Sequence, residues 1–220
     1  MLLKTRGIVF RCTRYGDTSV IVNIFTSAFG LQGYLVNGVR SGKRSRMALF
    51  QPLTLLDLVV YHRDNANLMR MKEVKCVHVY REIHQDLRKS AIAIFLTEIL
   101  NKVVREKSHT EEMTDFMVAS FIALDQTQEP ENFHLLFLLK LSRYLGFEVQ
   151  TASEVLAGHR PEPGEEELLE CLLQAPYDQP IPMSYFTRRN LLDHLIRFYG
   201  THLENLGPIR SLEVLKDIFK

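Results

Sequence analysis

Four cationic side chains fall within seven residues of this chain, in the segment from residue 40 to residue 46. The segment reads Arg40-Ser-Gly-Lys43-Arg44-Ser-Arg46, and its glycine favours a loop. Cations at this density attract the phosphates of a nucleic acid, because each contact releases a counterion condensed on the backbone. We call residues 40–46 the basic segment, and we predict that its four cations contact phosphate.

The dipeptide Gly42-Lys43 also invites comparison with the Walker A motif, G-x-x-x-x-G-K-[ST]. That motif requires glycine at position 37 and serine or threonine at position 44, but this chain has Asn37 and Arg44. No convincing helix follows the segment to place its N-terminus against a phosphate. The sequence therefore does not predict nucleotide hydrolysis.

Other catalytic and metal-binding patterns are missing from the sequence. It contains no G-x-S-x-G and no H-E-x-x-H, and its three cysteines, Cys12, Cys76 and Cys171, form no C-x-x-C pair. An odd and sparse cysteine count is typical of reduced, packed thiols rather than of a disulfide framework. We therefore predict no catalytic residue, no metal site and no cofactor, and we predict that the protein is not an enzyme.

The net charge of +1 conceals two halves of opposite sign. Residues 1–80 hold 12 Lys and Arg against 4 Asp and Glu, a net +8, while the remainder holds 15 against 22, a net −7. The basic half favours a polyanionic partner. No apolar run approaches the roughly 20 residues that span a bilayer, and no apolar signal region opens the chain. We expect a cytoplasmic protein with no membrane partner.

Residues 1–80 show the two-residue period of β-strands, with breaks at glycine, asparagine and aspartate. Five short strands can bury one face only by curling into a small barrel or sandwich. Tyr34 lies on the strand that leads into the basic segment, and Arg14 directly follows the first strand, so both join the predicted nucleic-acid contacts. The predicted strands cover residues 5–13, 18–26, 31–39, 53–61 and 68–79.

After Tyr80 the period becomes helical, and we predict an α+β protein with a β domain at residues 1–80 and an all-α domain at residues 81–220. A polar hinge is expected near residues 157–182. Asn132, Ser184 and Ser211 are predicted N-caps, and Gly146 is predicted at C′. The predicted helices cover residues 83–107, 114–124, 133–145, 165–174, 184–203 and 211–219.

The helix from Phe133 to Leu145 is apolar nearly all round and carries two cations, Lys140 and Arg143, toward its C-terminal end. These cations can complement the negative end of the helix dipole. A cationic rim beside apolar surface would equally suit an acidic, hydrophobic peptide from a partner. Lys140 and Arg143 are therefore the candidate peptide-binding residues.

Several motifs resemble the bacterial RecO recombination mediators, and together they cover most of the chain. They are Arg14-Tyr-Gly-Asp-Thr-Ser19, Ile24-Phe-Thr-Ser-Ala-Phe-Gly30, Leu49-Phe-Gln-Pro-Leu-Thr-Leu55, Phe137-Leu-Leu-Lys-Leu-Ser-Arg-Tyr-Leu-Gly-Phe147 and Leu206-Gly-Pro-Ile-Arg-Ser-Leu212. The resemblance implies an N-terminal OB-fold, a helical C-terminal domain and a role in DNA repair and recombination. It also implies binding and annealing of single- and double-stranded DNA, contact with the C-terminal tail of single-stranded DNA-binding protein, and cooperation with RecR to load recombinase. The participation of RecF stays open.

One departure from the family pattern concerns zinc. Many relatives carry four cysteines in the loop that follows the Leu-Gly-Phe segment, whereas here only Cys171 lies in the corresponding region. We therefore expect a variant without the four-cysteine zinc motif. A basic OB module that binds structured RNA and a metal-dependent nuclease are the alternative functions.

Overall fold

The computed structural model describes residues 1–39, 46–63, 66–104, 110–158, 160–204 and 206–220. These residues divide into two units. The first unit contains Met1–Tyr80 and Val104–Phe121, and the second contains Arg81–Val103 and Ile122–Lys220.

Five strands close a barrel in the first unit. Their order around the barrel is β1-β2-β3-β5-β4, and neighbouring strands are antiparallel except for β3 and β5, which are parallel. This mixed five-stranded barrel has the architecture of an OB-fold, so the predicted fold class is confirmed. The strands are β1 (Leu2–Tyr15), β2 (Ser19–Thr26), β3 (Gly30–Val36), β4 (Leu55–Tyr61) and β5 (Met69–His78).

Strand β1 is long because it pairs with two neighbours. Its first half aligns with β4 and its second half with β2, and the two pairings overlap at Gly7 and Ile8. A register shift between Val9 and Arg11 marks a bulge, which increases the local bend of the strand. Gly7 is required here, because a Cβ at this position would lie 2.6 Å from Cγ2 of Ile24.

The barrel core is built by alternating side chains from all five strands. Val9, Val22, Ile24, Leu58 and Val60 are among the buried residues of this core. Polar residues alternate with them on the outer surface, as expected for strands with one buried face. The two-residue period in the sequence therefore reflects the inside and outside of the barrel.

The ends of the strands differ from the prediction. Strand β1 begins at Leu2 rather than Thr5, and β3 ends at Val36 rather than Val39. A short 3₁₀ helix, Arg46–Phe50, precedes β4 and was not predicted. It is short and follows the basic segment directly, so the sequence offered no run long enough to show a helical period.

Seven α-helices lie in the described residues after β5. The most buried is α3, in which Phe137, Leu138 and Leu141 are fully enclosed, and the Tyr199 hydroxyl donates to the Leu138 carbonyl at 2.6 Å. Helix α4 was not predicted, because it has only five residues. The helices are α1 (Leu87–Val103), α2 (Thr110–Gln126), α3 (Phe133–Tyr144), α4 (Ala152–Leu156), α5 (Glu165–Gln174), α6 (Tyr185–His202) and α7 (Ser211–Ile218).

Two of the predicted helix caps are confirmed. The Ser184 hydroxyl accepts a hydrogen bond from the Thr187 amide at 3.1 Å, which caps α6. Gly146 follows α3 with a φ of 83°, the left-handed conformation expected at C′.

The other two predicted caps do not make the expected local side-chain bond, although Asn132 does occupy the N-cap position of α3. Asn132 precedes α3, but its side chain makes no capping bond; its Nδ2 donates to the Ile181 carbonyl and its Oδ1 accepts from Arg188. Ser211 is the first residue of α7 rather than its N-cap, and its hydroxyl donates to Glu98. Tertiary hydrogen bonds therefore replace the local ones in both places.

Among the described residues, no helix combines the length and the apolar character required to cross a lipid bilayer.

Candidate nucleic-acid interface

Arg46 is the member of the basic segment that the structure describes; Arg40, Lys43 and Arg44 lie outside the described residues. Arg46 is exposed, and its backbone amide donates to the carbonyl of Val39 at 3.3 Å. This bond joins the two residues that flank the undescribed part of the segment. Arg46 also lines an open groove on the barrel.

The groove has a volume of about 970 Å³ and runs over β1, β4 and β5. Its lining includes cations from three distant parts of the chain, together with two carboxylates. We call this surface the basic groove. Its cations are Lys4, Arg6, Arg46, Lys72 and Lys75, and its carboxylates are Asp57 and Glu73.

Strand register places the groove cations on one outer face. Arg6 of β1 aligns with Asp57 of β4, which aligns in turn with Lys75 of β5. These side chains point outward because their neighbours Thr5 and Leu58 are buried. The face therefore carries a cation on each side of a central carboxylate.

A bulge adds another cation to this face. The pairing of β4 with β5 shifts between Val59 and Val60, so Lys72 becomes an extra residue between Met71 and Glu73. Lys72 and Glu73 are both accessible to solvent, and their charged groups lie 3.9 Å apart. The bulge thus interrupts the alternation and exposes two consecutive side chains.

The groove remains cationic after its ion pairs are counted. Arg6 pairs with Asp115 of α2, which belongs to the same unit, at 2.8 Å, with both side chains about half exposed. Within the described part of the chain, no carboxylate pairs with Lys4, Arg46 or Lys75. These three cations are therefore available to an external anion.

The other two predicted DNA contacts lie elsewhere on the barrel. Arg14 is exposed near the end of β1, where it aligns with Val20, and it does not line the groove. Tyr34 is fully buried in the barrel core, and this burial raises its pKa to about 12. Its enclosed ring therefore offers no face on which a base could stack.

Lys140 and Arg143 occupy neighbouring positions on α3 but differ in environment. The Lys140 ammonium donates to the Ala175 carbonyl at 2.9 Å and lies 5.6 Å from the centroid of the Tyr177 ring. Burial lowers the pKa of Lys140. Ala175 is the C-cap of α5, so this lysine satisfies a helix end, whereas Arg143 is exposed.

The described residues contain no group of three or more His, Cys, Asp or Glu side chains arranged to hold a metal ion. Cys12 and Cys76 are partly buried, and Cys171 is exposed. Burial raises the pKa of Cys12, which disfavours its thiolate.

The chain matches two family models, together over more than half of its length. The model described as Recombination protein O N terminal covers residues 1–80, and the model described as Recombination protein O C terminal covers residues 84–165. The chain belongs to the RecO family. The proteins named DNA repair protein RecO from Flavobacterium psychrophilum and Bacteroides fragilis are each 33% identical to it, and the one from Christiangramia forsetii is 32% identical. Each similarity covers all of both chains.

RecO membership assigns the chain to DNA repair and recombination, and the barrel followed by helices is consistent with it. Lys4, Arg6, Lys72 and Lys75 contribute to the positive charge of residues 1–80, but no sequence motif groups them into a site. Their alternation with buried neighbours signals outward-facing positions. Only the strand register shows that they share one face.

Proposed function

We propose that this RecO protein is a recombination mediator whose barrel binds DNA and anneals complementary strands without catalytic chemistry. The basic groove carries this proposal, because it gathers on an exposed face of the barrel three cations that pair with no carboxylate among the described residues. The full-length relatives named DNA repair protein RecO support the same role.

Contact with the phosphate backbone of DNA explains how one surface can bind both single- and double-stranded DNA. Phosphates are common to both, so cations in the groove and the basic segment contribute affinity without reading sequence. Neutralising two strands on one surface reduces their mutual repulsion and leaves the base edges able to pair. Annealing by this route requires no nucleotide cofactor.

The proposed partners follow from RecO membership: RecR, the C-terminal tail of single-stranded DNA-binding protein, and the recombinase that is loaded. Arg143 is the exposed cation on α3 for the acidic tail, while Lys140 supports the end of α5 beside it. These partner roles are proposals for this chain.

Annealing of two complementary fluorescent oligonucleotides tests the function. We expect the protein to accelerate annealing without ATP and to bind DNA single strands more tightly than RNA hairpins of equal length at matched salt. Cleavage of either strand in Mg²⁺ or Mn²⁺ would contradict the mediator assignment. A preference for the RNA hairpin would favour an RNA-binding module instead.

Salt dependence tests the groove itself. Replacing Lys4 and Lys75 with glutamine removes two of these available cations, so the slope of log affinity against log salt should become shallower by about 1.4, because each single-strand phosphate that is no longer neutralised accounts for about 0.7. Replacing Arg160 and Lys220, two exposed cations of the other unit, with glutamine causes the same change in net charge. If both double variants alter the slope equally, the groove is not the contact surface.

The basic segment is tested in the same assay. A variant in which Lys43, Arg44 and Arg46 are all alanine should bind every DNA sequence less tightly and should also have a shallower slope. An unchanged slope would mean that the segment does not contact phosphate.

A further inference from the structure

Beside the basic groove, the barrel has a second open pocket where β4 ends and β5 begins. This pocket has a volume of about 680 Å³ and contains an exposed aromatic ring, two arginines and an apolar side chain. We call it the Tyr61 pocket. The residues that line it are Met1, Tyr61, His62, Arg63, Ala66, Leu68, Met69 and Arg70.

Tyr61 presents its ring on the outside of the barrel. It is the last residue of β4 and is 49% exposed, whereas its neighbour Val60 is fully buried. The register aligns Tyr61 with Leu2 of β1 and Arg70 of β5. Among the described residues, the Tyr61 side chain has no hydrogen bond and no ring contact.

Two exposed arginines accompany the ring in this pocket. Arg63 follows β4 by two residues, and Arg70 lies beside Tyr61 on β5. No carboxylate from the described residues lines the pocket or pairs with either arginine. Asp64 lies outside the described residues. The two guanidinium groups can therefore receive phosphates adjacent to the ring.

Leu68 gives the pocket an apolar side. It is 44% exposed and lies close to β3, where a Cβ added at Gly33 would be 3.1 Å from its Cδ2. A single exposed tyrosine is an ordinary surface feature. A ring with an apolar neighbour and two available arginines has instead the composition of sites that stack the bases of single strands.

We propose that Tyr61 stacks on an unpaired base of single-stranded DNA while Arg63 and Arg70 contact the flanking phosphates. This inference extends the proposed function and depends on DNA binding by the barrel. The bases of a duplex are already stacked on both faces, so the pocket favours single strands. The basic groove, by contrast, holds backbone that is common to both forms.

A tryptophan at position 61 detects stacking directly, because the chain contains no natural tryptophan. In the Tyr61→Trp variant, a thymidine oligonucleotide should quench the tryptophan emission. An abasic oligonucleotide of equal length should bind through its phosphates without this quenching. Anisotropy of the labelled oligonucleotides measures binding independently of the emission.

Affinity provides the second measurement. Tyr61→Leu should weaken binding of the thymidine oligonucleotide about tenfold, within the range for loss of one stacked base, and should leave duplex binding and the melting temperature unchanged. Tyr61→Phe, which keeps the ring, should bind like the parent protein. Tyr15→Leu is the matched control, since Tyr15 is 53% exposed at the opposite end of β1.

The outcomes separate the two proposals. Normal anisotropy binding with no quenching and no effect of Tyr61→Leu would refute the stacking site but leave the proposed function standing. Absence of binding by the parent protein to any of these DNAs would refute the proposed function itself. Equal losses in Tyr61→Leu and Tyr15→Leu would refute a specific role for Tyr61.

Discussion

His134 illustrates how burial controls a single side chain in the helical unit. It is 1% exposed on α3, and its ring lies against Phe95 and Phe219, at centroid distances of 6.2 Å and 5.9 Å. Desolvation by burial, together with the nearby positive charge of Arg188, lowers the pKa of His134 from 6.5 to about 3. The folded protein therefore keeps this ring neutral in mildly acidic solution.

This lowered pKa predicts a pH-dependent stability. Between about pH 6.5 and pH 3 the unfolded chain binds a proton at His134 that the folded chain does not bind. The free energy of unfolding should therefore fall as the pH decreases through this window, by up to about 1.4 kcal/mol per pH unit from this group. Urea unfolding between pH 8 and pH 5 measures the effect.

Two variants isolate the contribution of His134. His134→Gln should be less stable at pH 8, because it loses ring packing, but its stability should depend less on pH between pH 6.5 and pH 5. His84→Gln, the same substitution at an exposed histidine of the same unit, is the comparison variant. If the free energies of unfolding of His134→Gln and of the parent protein changed with pH in parallel, the prediction would be contradicted.

Tyrosine positions show what residue patterns can and cannot predict about the site. Alternation on β3 is compatible with either face of the barrel, and the predicted contact of Tyr34 with DNA required the outer face. The register aligns Tyr34 with Val22, which is fully buried, so Tyr34 shares the inner face. Tyr61 was not singled out, because its partners Leu2 and Arg70 are distant in sequence.

The start of α7 depends on a carboxylate from another helix. The two Glu98 oxygens accept hydrogen bonds from the Arg210 amide at 2.9 Å and from the Ser211 amide and hydroxyl at 2.8 and 2.7 Å. Partial burial alone would raise the pKa of Glu98, but these hydrogen bonds outweigh it and lower the pKa. Glu98 therefore replaces a local N-cap and also opposes the positive end of the α7 dipole.

We expect Glu98→Gln to destabilise the protein by about 1–3 kcal/mol, because the amide provides one acceptor oxygen and no charge for these donors. Urea unfolding at pH 7 measures the loss. Glu213→Gln on α7 is the control: its carboxylate is 73% exposed and lies 3.6 Å from Lys216, so its loss should cost less than about 1 kcal/mol. Equal destabilisation by both variants would show that Glu98 is not the cap.

The elements themselves were largely predictable, because each barrel strand and each long helix shows its own period in the sequence. What could not be predicted depends on contacts between distant residues. The basic groove brings Lys4 to Lys75 across β4, and the α7 cap brings Glu98 to Ser211. No local pattern specifies either pairing. The division into domains at residue 80 also stays a prediction.

The two structural units also differ in the sign of their net charge, but by less than the two halves of the sequence do. Residues 104–121 hold 2 Lys and Arg and 4 Asp and Glu, so adding them to residues 1–80 gives the first unit a net charge of +6 and leaves the second at −5. The barrel unit stays cationic although Asp115 pairs with Arg6. A polyanion such as DNA is attracted at long range by the net positive charge of the barrel unit and repelled by the net negative charge of the helical unit.

The acidic partner peptide proposed above would bind the helical unit against this repulsion, so its binding would require favourable local contacts. We predict that a peptide ending in Asp-Asp-Ile-Pro-Phe binds the full chain, and that Arg143→Gln weakens its binding about 3- to 10-fold, the range for one exposed charge-assisted contact. Calorimetry measures the affinity. Arg160→Gln, which removes another exposed cation of the same unit, should bind the peptide like the parent protein.

Salt then distinguishes the two kinds of binding. Three phosphates neutralised by the available cations of the basic groove would give a slope of about −2.1, so single-strand affinity should fall about 20-fold between 50 and 200 mM salt. The peptide should lose less than about tenfold over the same range, because only one or two charges are paired and salt also screens the repulsion from the acidic unit. Two results would contradict a specific site on α3: a peptide affinity that falls with salt as steeply as the DNA affinity, or equal weakening of peptide binding by Arg143→Gln and Arg160→Gln. Either result would show that the overall charge of the molecule binds the peptide.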